Sequence, residues 1–463
     1  MPKLRYPVDV LTGPHRVAAV VPAWNEAGSI GPVVSGLLRA GACCVFVVDP
    51  GSADATRAVA AAAGATIIHE PRIGYGRACL SGGEAARASG HALVAWLDGD
   101  GSCDPAELPA MVAVADRSGA DLVLGRRRDP QPGALPWHAR AGNDLVAALL
   151  RLRTQKAVGD VPPFKLVRAD ALDVLRLDET GYGWSVQLVG RALAHPALRV
   201  VEVESRFGAR TGGRSKVSGR LGPSLRAGQA MLGQARAATR RRGVLVLMAK
   251  APRSGHSKTR LEKELGTPAA MAFWNACLGD AGDLVRRAAR AADLDVAAMV
   301  PTPSDAGPVR ALTGLPTLVQ RHPGLGHALL EVSSLAAPFT IALSADVPTL
   351  PAPVIERAAR ALDKLPAVLG PGEDGGYYLV GLRSRVGVGI RRRAFLDAPM
   401  GSTTVLAHTR SALGEALLLE SWRDVDTIAD LEALRRDLAR SPAPPPRLAE
   451  WAAIALPSRR NVV

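Results

Sequence analysis

Ala95-Trp96-Leu97-Asp98-Gly99-Asp100-Gly101 ends an apolar run with two carboxylates one residue apart. An extended chain repeats its side-chain direction every two residues, so Asp98 and Asp100 can point the same way from a strand mouth. Hard carboxylate oxygens in that arrangement suit a divalent cation, Mg2+ or Mn2+, which in turn neutralises a diphosphate. The plain alternative is a polar turn, because Asp-Gly is a common turn dipeptide. The flanking sequence decides between them.

Upstream, Arg16-Val-Ala-Ala-Val-Val21 breaks at Pro22-Ala-Trp24-Asn25-Glu26-Ala-Gly28-Ser29-Ile30, a strand, a polar corner and a helix start. That is the βα unit of a parallel sheet, whose ligands gather beyond the carboxyl ends of the strands. Cys44–Val48 is a second strand, ending in Asp49-Pro-Gly51-Ser52. Thr66–His69 is a third, leading into the glycine-loosened loop Ile73-Gly74-Tyr75-Gly76-Arg77. The acidic pair caps the fourth. Polar tips on successive parallel strands converge on one crevice.

These residues resemble the family-2 glycosyltransferases, most closely the branch that includes dolichol-phosphate mannosyltransferases, over roughly residues 15 to 220. The resemblance implies that Pro22, Trp24, Glu26 and Asp49 hold a nucleotide, with Gly76 and Arg77 in the same donor-binding set. It implies that Asp98 and Asp100 bind metal and the donor diphosphate. Gly159-Asp160-Val161-Pro162-Pro163-Phe164-Lys165 matches an acceptor-side motif, with Pro162 and Lys165 where glycine and arginine are usual. Gly213-Arg214-Ser215-Lys216 matches a basic loop that faces phosphate groups. Gly183-Trp184-Ser185-Val186-Gln187-Leu188 resembles a motif that normally ends in glutamate. An amide takes no proton, so Gln187 at a catalytic position fits either a weakened enzyme or an acceptor already anionic, such as a lipid phosphate. Asp160 is a candidate acceptor-side carboxylate, with a structural hydrogen-bonding role as the alternative.

A chain of 463 residues is too long for one ordinary core and indicates two domains. Its net charge of +14, from 57 basic and 43 acidic residues, suits phosphorylated substrates first and an anionic membrane surface second. Nucleic acid ranks last, because 4% aromatic content leaves few stacking platforms. Five cysteines without a Cys-x-x-Cys give no disulfide framework or zinc site and indicate a reducing cytoplasm. The N-terminus lacks an apolar signal core, and no run reaches the ~20 apolar residues of a membrane span. A lipid acceptor is therefore expected to be met peripherally, at the inner face of a membrane.

Residues 219–242 carry Arg220, Arg226, Arg236 and Arg240-Arg241-Arg242, a basic helix and linker that is either a solvated connector or a membrane- or phosphate-facing surface. The architecture then restarts at Gly243-Val-Leu-Val-Leu-Met248, opening into a loop with Lys250, Lys258 and Arg260 before a helix. By its charge this loop is a phosphate cradle, though not a P-loop, and a solvated basic turn is the alternative. Further strands fall at Val296–Val300, Pro338–Leu343 and Ala367–Leu369, with Asp346 at one strand end and Glu373-Asp374-Gly375-Gly376 in a glycine-rich stretch. Asp424 and Asp426 repeat the one-residue spacing, unless Asp426-Thr427 caps the following helix.

This half resembles the bacterial family of unknown function numbered 2064, related to 2-phospholactate guanylyltransferase, over about residues 243 to 440. The resemblance implies that Lys250, Lys258 and Arg260 bind nucleotide phosphates and that Asp346, Asp374 and Asp426 bind metal. Ala345 and the segment Gly326-His327-Ala328 depart from its pattern and weaken the case for catalysis there. The expected fold is two tandem GT-A α/β domains, 1–218 and 243–440, with a linker at 219–242 and a Pro-rich segment and tail at 441–463. The expected activity is metal-dependent, inverting transfer of a sugar from a nucleoside-diphosphate donor. The second half is expected to be a nucleotidyltransferase, a second glycosyltransferase or a nucleotide-sensing pseudoenzyme.

Overall fold

The computed structural model describes residues 17–128, 136–211 and 221–455. The chain divides into two compact units, Met1–Arg240 and Arg241–Val463. In the first, the strands are β1 (Val17–Pro22), β2 (Cys44–Asp49), β3 (Thr66–His69), β4 (Leu93–Trp96), β5 (Leu122–Arg128), β6 (Lys165–Arg168) and β7 (Val200–Arg206). They form one sheet in the order β3-β2-β1-β4-β6-β5-β7. The first four run parallel, while β6 is antiparallel to both of its neighbours, β4 and β5. The sheet is mostly parallel, as the sequence predicts, with the reversed strand starting at Lys165, the last residue of the segment read as an acceptor motif.

Helices on both faces explain why β1 is apolar throughout. Val17, Ala19 and Val21 pack with Ile30, Val33, Val34, Leu108 and Met111 on one face. On the other face the helix Tyr75–Ala88 lies close enough that a Cβ on Gly82 would collide with Val20 and Val48. Strand β1 has β2 on one side and β4 on the other, so the sheet order reverses there. Such a reversal is where open α/β sheets place their ligands, and Pro22–Glu26 and Asp98–Asp100 lie there, at the carboxyl ends of β1 and β4.

The second unit contains β8 (Val244–Met248), β9 (Asp295–Val300), β10 (Thr317–Val319), β11 (Phe339–Ser344), β12 (Ala367–Pro371), β13 (Tyr377–Arg383) and β14 (Leu417–Leu418). Their order, β10-β9-β8-β11-β13-β12-β14, repeats that of the first sheet strand for strand. The antiparallel member is again the sixth, β13. Both units are thus GT-A-type α/β domains. The glycine-rich stretch around Asp374 is the tight connection between antiparallel β12 and β13.

Two segments beyond the expected domain bounds pack as helices, the first of them in the stretch read as a basic helix and linker. Leu221–Ala238 is a helix that packs on the helices Trp137–Thr154 and Trp184–Ala194 of the first unit. Its small residues allow this, since Ala235 and Ala238 are buried and Gly190 lies beneath Ala238. Pro446–Ala455 is likewise helical and packs on Thr267–Ala291, burying Leu448 and Trp451.

Candidate functional site

The tips of β1 and β2 are laced together. Asn25 takes a left-handed backbone (φ 54°), its N–H donates to Ser52 Oγ at 2.8 Å, and its Oδ1 accepts from Ala53 N at 2.9 Å. Glu26 N donates to Thr56 Oγ1 at 2.8 Å, and Ala23 N to Val48 O at 3.0 Å. Pro22 thus closes β1, Trp24 is half-buried in the turn, and the buried Glu26 opens toward β4. Asp49 is fully buried, and its Oδ1 accepts from the N–H groups of Gly51 and Ser52, both at 2.6 Å. Its Oδ2 is buried with no hydrogen-bond partner among the described residues. A buried acceptor without a donor is costly unless a ligand or water completes it.

The acidic pair emerges one residue past β4. Asp100 is 5% exposed, and its Oδ1 accepts from Ser102 N at 2.9 Å and Ser102 Oγ at 2.6 Å. Its Oδ2 pairs with Arg210 at 3.1 Å, and the same guanidinium lies 3.6 Å from Glu26 Oε1. Asp98 accepts from the Tyr75 hydroxyl at 3.0 Å. Burial, and then the charge of Asp100, push the Asp98 carboxyl above the ordinary aspartate value. Lys165, fully buried on β6 opposite Trp96, opposes that shift and stacks 5.5 Å from the Trp184 ring. Burial lowers the Lys165 ammonium below the usual lysine value, against the pull of Asp98.

These two acids fit a Mg2+ or Mn2+ ion held through one or two carboxylates and completed by donor phosphates. Among the described residues no third His, Cys, Asp or Glu closes a metal-sized cluster with them. Arg210 is the positive partner of Asp100 in the structure, a stand-in charge on a side chain 37% exposed. Tyr75 and Arg210 are not among the residues picked out from the sequence, and Lys165 is noted there only as a departure from a usual arginine. Tyr75 lies inside a motif read for Gly76 and Arg77, and Arg210 flanks the basic loop. Arg214 and Lys216 of that loop lie outside the described residues.

Four predicted positions are engaged in hydrogen bonds within the fold. Asp160 accepts from Arg127 N (2.9 Å), Nε (2.9 Å) and a terminal guanidinium nitrogen (2.6 Å), and from Asn143 Nδ2 (2.7 Å). Burial alone would raise its carboxyl, but the Arg127 bonds outweigh it and hold the group below the ordinary value. Gln187 is buried, with Oε1 accepting from Asp178 N and Glu179 N, both at 2.9 Å, and Nε2 donating to Asp178 Oδ1 at 2.6 Å. It braces the loop at Asp178 and Glu179. Gly76 and Arg77 donate their backbone N–H groups to Gly181 O and Thr180 O, both at 3.1 Å. A Cβ on Gly76 would collide with the Glu179 carbonyl, so this glycine lets the same loop approach.

In the second unit the loop after β8 is pinned by Asp305, which accepts from Ala251 N at 3.0 Å and pairs with Arg253 at 2.6 Å. Lys258, with a left-handed backbone (φ 51°), turns its ammonium inward onto Asp346, onto Asp426 at 2.8 Å and onto Val425 O at 2.7 Å. Its side chain is 4% exposed and lies 5.0 Å from the Trp274 ring. Burial lowers its ionisation, but the two aspartates outweigh burial and raise it above the ordinary lysine value. Lys258 is thus the countercharge of Asp346 and Asp426, two of the acids expected to hold metal. Asp374 is exposed, with Oδ1 accepting from Gly376 N at 2.8 Å inside its own turn. Thr427, not Asp426, caps Ile428–Arg440, in a capping box with Asp430. Lys250 and Arg260 present exposed side chains.

Residues 18–176 match the model of glycosyl transferase family 2, and residues 284–402 match that of an uncharacterized protein family conserved in bacteria, DUF2064. The chain is 42% identical to an uncharacterized glycosyltransferase of Mycobacterium bovis over 45% of its own length and 93% of the relative's. It is 29% identical to a polyprenol monophosphomannose synthase of Mycolicibacterium smegmatis, over 44% of this chain and 82% of that one. It is also 29% identical to an undecaprenyl-phosphate mannosyltransferase of Micrococcus luteus, over 44% and 88%. Among solved structures, glucosyl-3-phosphoglycerate synthase of Mycobacterium tuberculosis is similar at 21% identity over 49% of this chain and 80% of that chain, with a TM-score of 0.39. With the relative of Mycobacterium bovis matched over nearly its whole length, the chain belongs to glycosyl transferase family 2.

Proposed function

We propose that the first half transfers a sugar from a nucleoside-diphosphate donor to a polyprenyl-type lipid phosphate, with inversion at the anomeric carbon. The observation that carries this reading is the Asp98–Asp100 pair at the switch of the sheet, with Asp100 and Glu26 bridged by Arg210. The unpartnered Asp49 oxygen suits an N–H or hydroxyl of the nucleoside entering beside it. A divalent cation held by Asp98 and Asp100 would supply positive charge to the departing diphosphate. Arg210, on its half-exposed arm, would shift from the acids toward the same developing charge.

The choice of acceptor rests on what Asp160 and Gln187 are doing. The first is saturated by Arg127 and Asn143, and the second is an amide with all its groups engaged, so neither serves as a general base. A phosphate is already ionised and needs none. The names of the two polyprenol-phosphate relatives point the same way. A panel of nucleotide-sugars, incubated with the full chain, Mg2+ or Mn2+ and a polyprenyl phosphate, should yield a glycosyl phosphate by mass spectrometry. Transfer only to neutral hydroxyl acceptors would reject the reading.

For the second half we propose a nucleotide-binding role akin to the nucleotidyltransferases, with Lys250 and Arg260 as the cations open to phosphate. Calorimetry of the full chain with nucleoside triphosphates tests it. Unchanged affinity in Lys250→Ala combined with Arg260→Ala would reduce the loop to a solvated turn.

A further inference from the structure

We propose that the outer face of the helix Trp137–Thr154 is a docking surface for an anionic lipid bilayer, an inference that rests on the lipid-phosphate acceptor reading above. Single exposed apolar residues are ordinary. Here, however, three of the nine large hydrophobics exposed among the described residues share one helix: Trp137 at 81%, Leu145 at 55% and Leu152 at 71%. At about 100° per residue, spacings of eight and seven place them within a sector of roughly 80°. Ala141 and Ala148 fall in the same sector, so the stripe is continuous and apolar. The opposite side of the helix packs inward through Val146, Ala147 and Leu150. The helix is thus amphipathic twice over, once for its own core and once for something outside.

The charges beside the stripe say what that something is. Exposed Arg140 and Arg151 border it on one side, against a single acid on the helix, Asp144, and the whole chain carries +14. An indole and leucines flanked by guanidinium groups match the boundary between acyl chains and anionic headgroups. No described helix is long and apolar enough to cross a membrane, so a lipid acceptor would be met at a surface. The same helix also holds the acceptor-side segment: Asn143 Nδ2 donates to Asp160 Oδ1 at 2.7 Å, and Asn143 Oδ1 accepts from Val161 N at 3.4 Å. Docking through the outer face would therefore leave the acceptor-side segment, held from the helix's other side by Asn143, one helix thickness from the bilayer.

The test is co-sedimentation of the full chain with vesicles of phosphatidylglycerol and phosphatidylcholine, or of phosphatidylcholine alone, at low and high salt. Wild type should bind the anionic vesicles more tightly, with binding weakened by salt. Leu145→Ser combined with Leu152→Ser should weaken that binding by about tenfold or more, leaving the melting temperature unchanged. The double variant should still glycosylate a short-chain, water-soluble polyprenyl phosphate at the wild-type rate, and lose transfer to a long-chain acceptor embedded in vesicles. Absence of vesicle binding by wild type, or equal binding by the variant, overturns the proposal. So does self-association of wild type that the variant abolishes, which would assign the face to a second copy of the chain. If vesicle binding behaves as expected but neither polyprenyl phosphate is glycosylated, the acceptor reading falls and the docking surface stands.

Discussion

At the carboxyl end of β4, Asp100 faces Arg210, a side chain 37% exposed that reaches in from the segment after β7. At the carboxyl end of β11, the corresponding Asp346 faces Lys258, 4% exposed and rooted at the start of the helix after the loop of β8. The strand order around the two acids is the same. What differs is how firmly each acid's countercharge is held. A half-solvated arginine can leave for a ligand at small cost, because exposed ion pairs contribute little. A buried lysine with two carboxylates and a carbonyl on its ammonium is part of the architecture. The repeated fold supplies a strand end at the switch point, and the side chains arriving from elsewhere decide whether that end is open to chemistry.

The comparison is best broken where a carboxylate is fully enclosed. Asp160→Asn should leave the Arg127 guanidinium buried without its counterion and destabilise the first half by about 3–5 kcal/mol, read by denaturant unfolding. Because the folded Asp160 carboxyl is held below its ordinary value, near 3.9, the pair's contribution is present above that pH. It is lost as pH falls through the lower folded value, so variant and wild type should converge in stability only in strong acid. A uniform difference at all pH values would contradict the charge-pair account.

Asp100→Asn should do the reverse, leaving the fold intact and slowing metal-dependent sugar transfer by about 10²-fold or more. Asp346→Asn should leave that transfer rate unchanged. Full transfer by Asp100→Asn in excess Mn2+ would remove the acidic pair from the mechanism.

Replacing the two countercharges sharpens the contrast. Lys258→Met should destabilise the second half by about 1–3 kcal/mol, the range for hydrogen bonds to charged groups, since its carboxylate partners keep some solvent. Arg210→Met should cost less than about 1 kcal/mol. Thermal unfolding of both variants beside wild type measures the pair, and equal losses would erase the distinction drawn between them.

A modest effect is also expected at Gln187. Gln187→Glu recreates the commoner residue but loses the Nε2 bond to Asp178 and sets two carboxylates against each other. It should destabilise by roughly 0.5–1.5 kcal/mol and leave the transfer rate no higher. A faster variant would show that this position can act as a base after all.

The sequence by itself determined the parallel strands of both halves and the polar tips that follow them. Runs such as Val17–Val21 and Val244–Met248 are apolar on both faces, and breaks such as Pro22 and Asp98 mark where strands stop. Local pattern carries that information, as it does the one-residue spacing of Asp98 and Asp100. It did not give the reversed strands β6 and β13, because direction within a sheet depends on which neighbour a short apolar segment meets. Nor could it separate a catalytic carboxylate from a structural one. Asp160 is fixed by Arg127, 33 residues away, and Lys258 by Asp426, 168 residues away. Asp100 is bridged to Glu26 only through Arg210, on a third segment of the chain. Hydrogen bonds and ion pairs act over a few ångströms, and residues so far apart in sequence come within that range only once the sheet has closed. The tertiary structure alone decided which acids are saturated and which remain available.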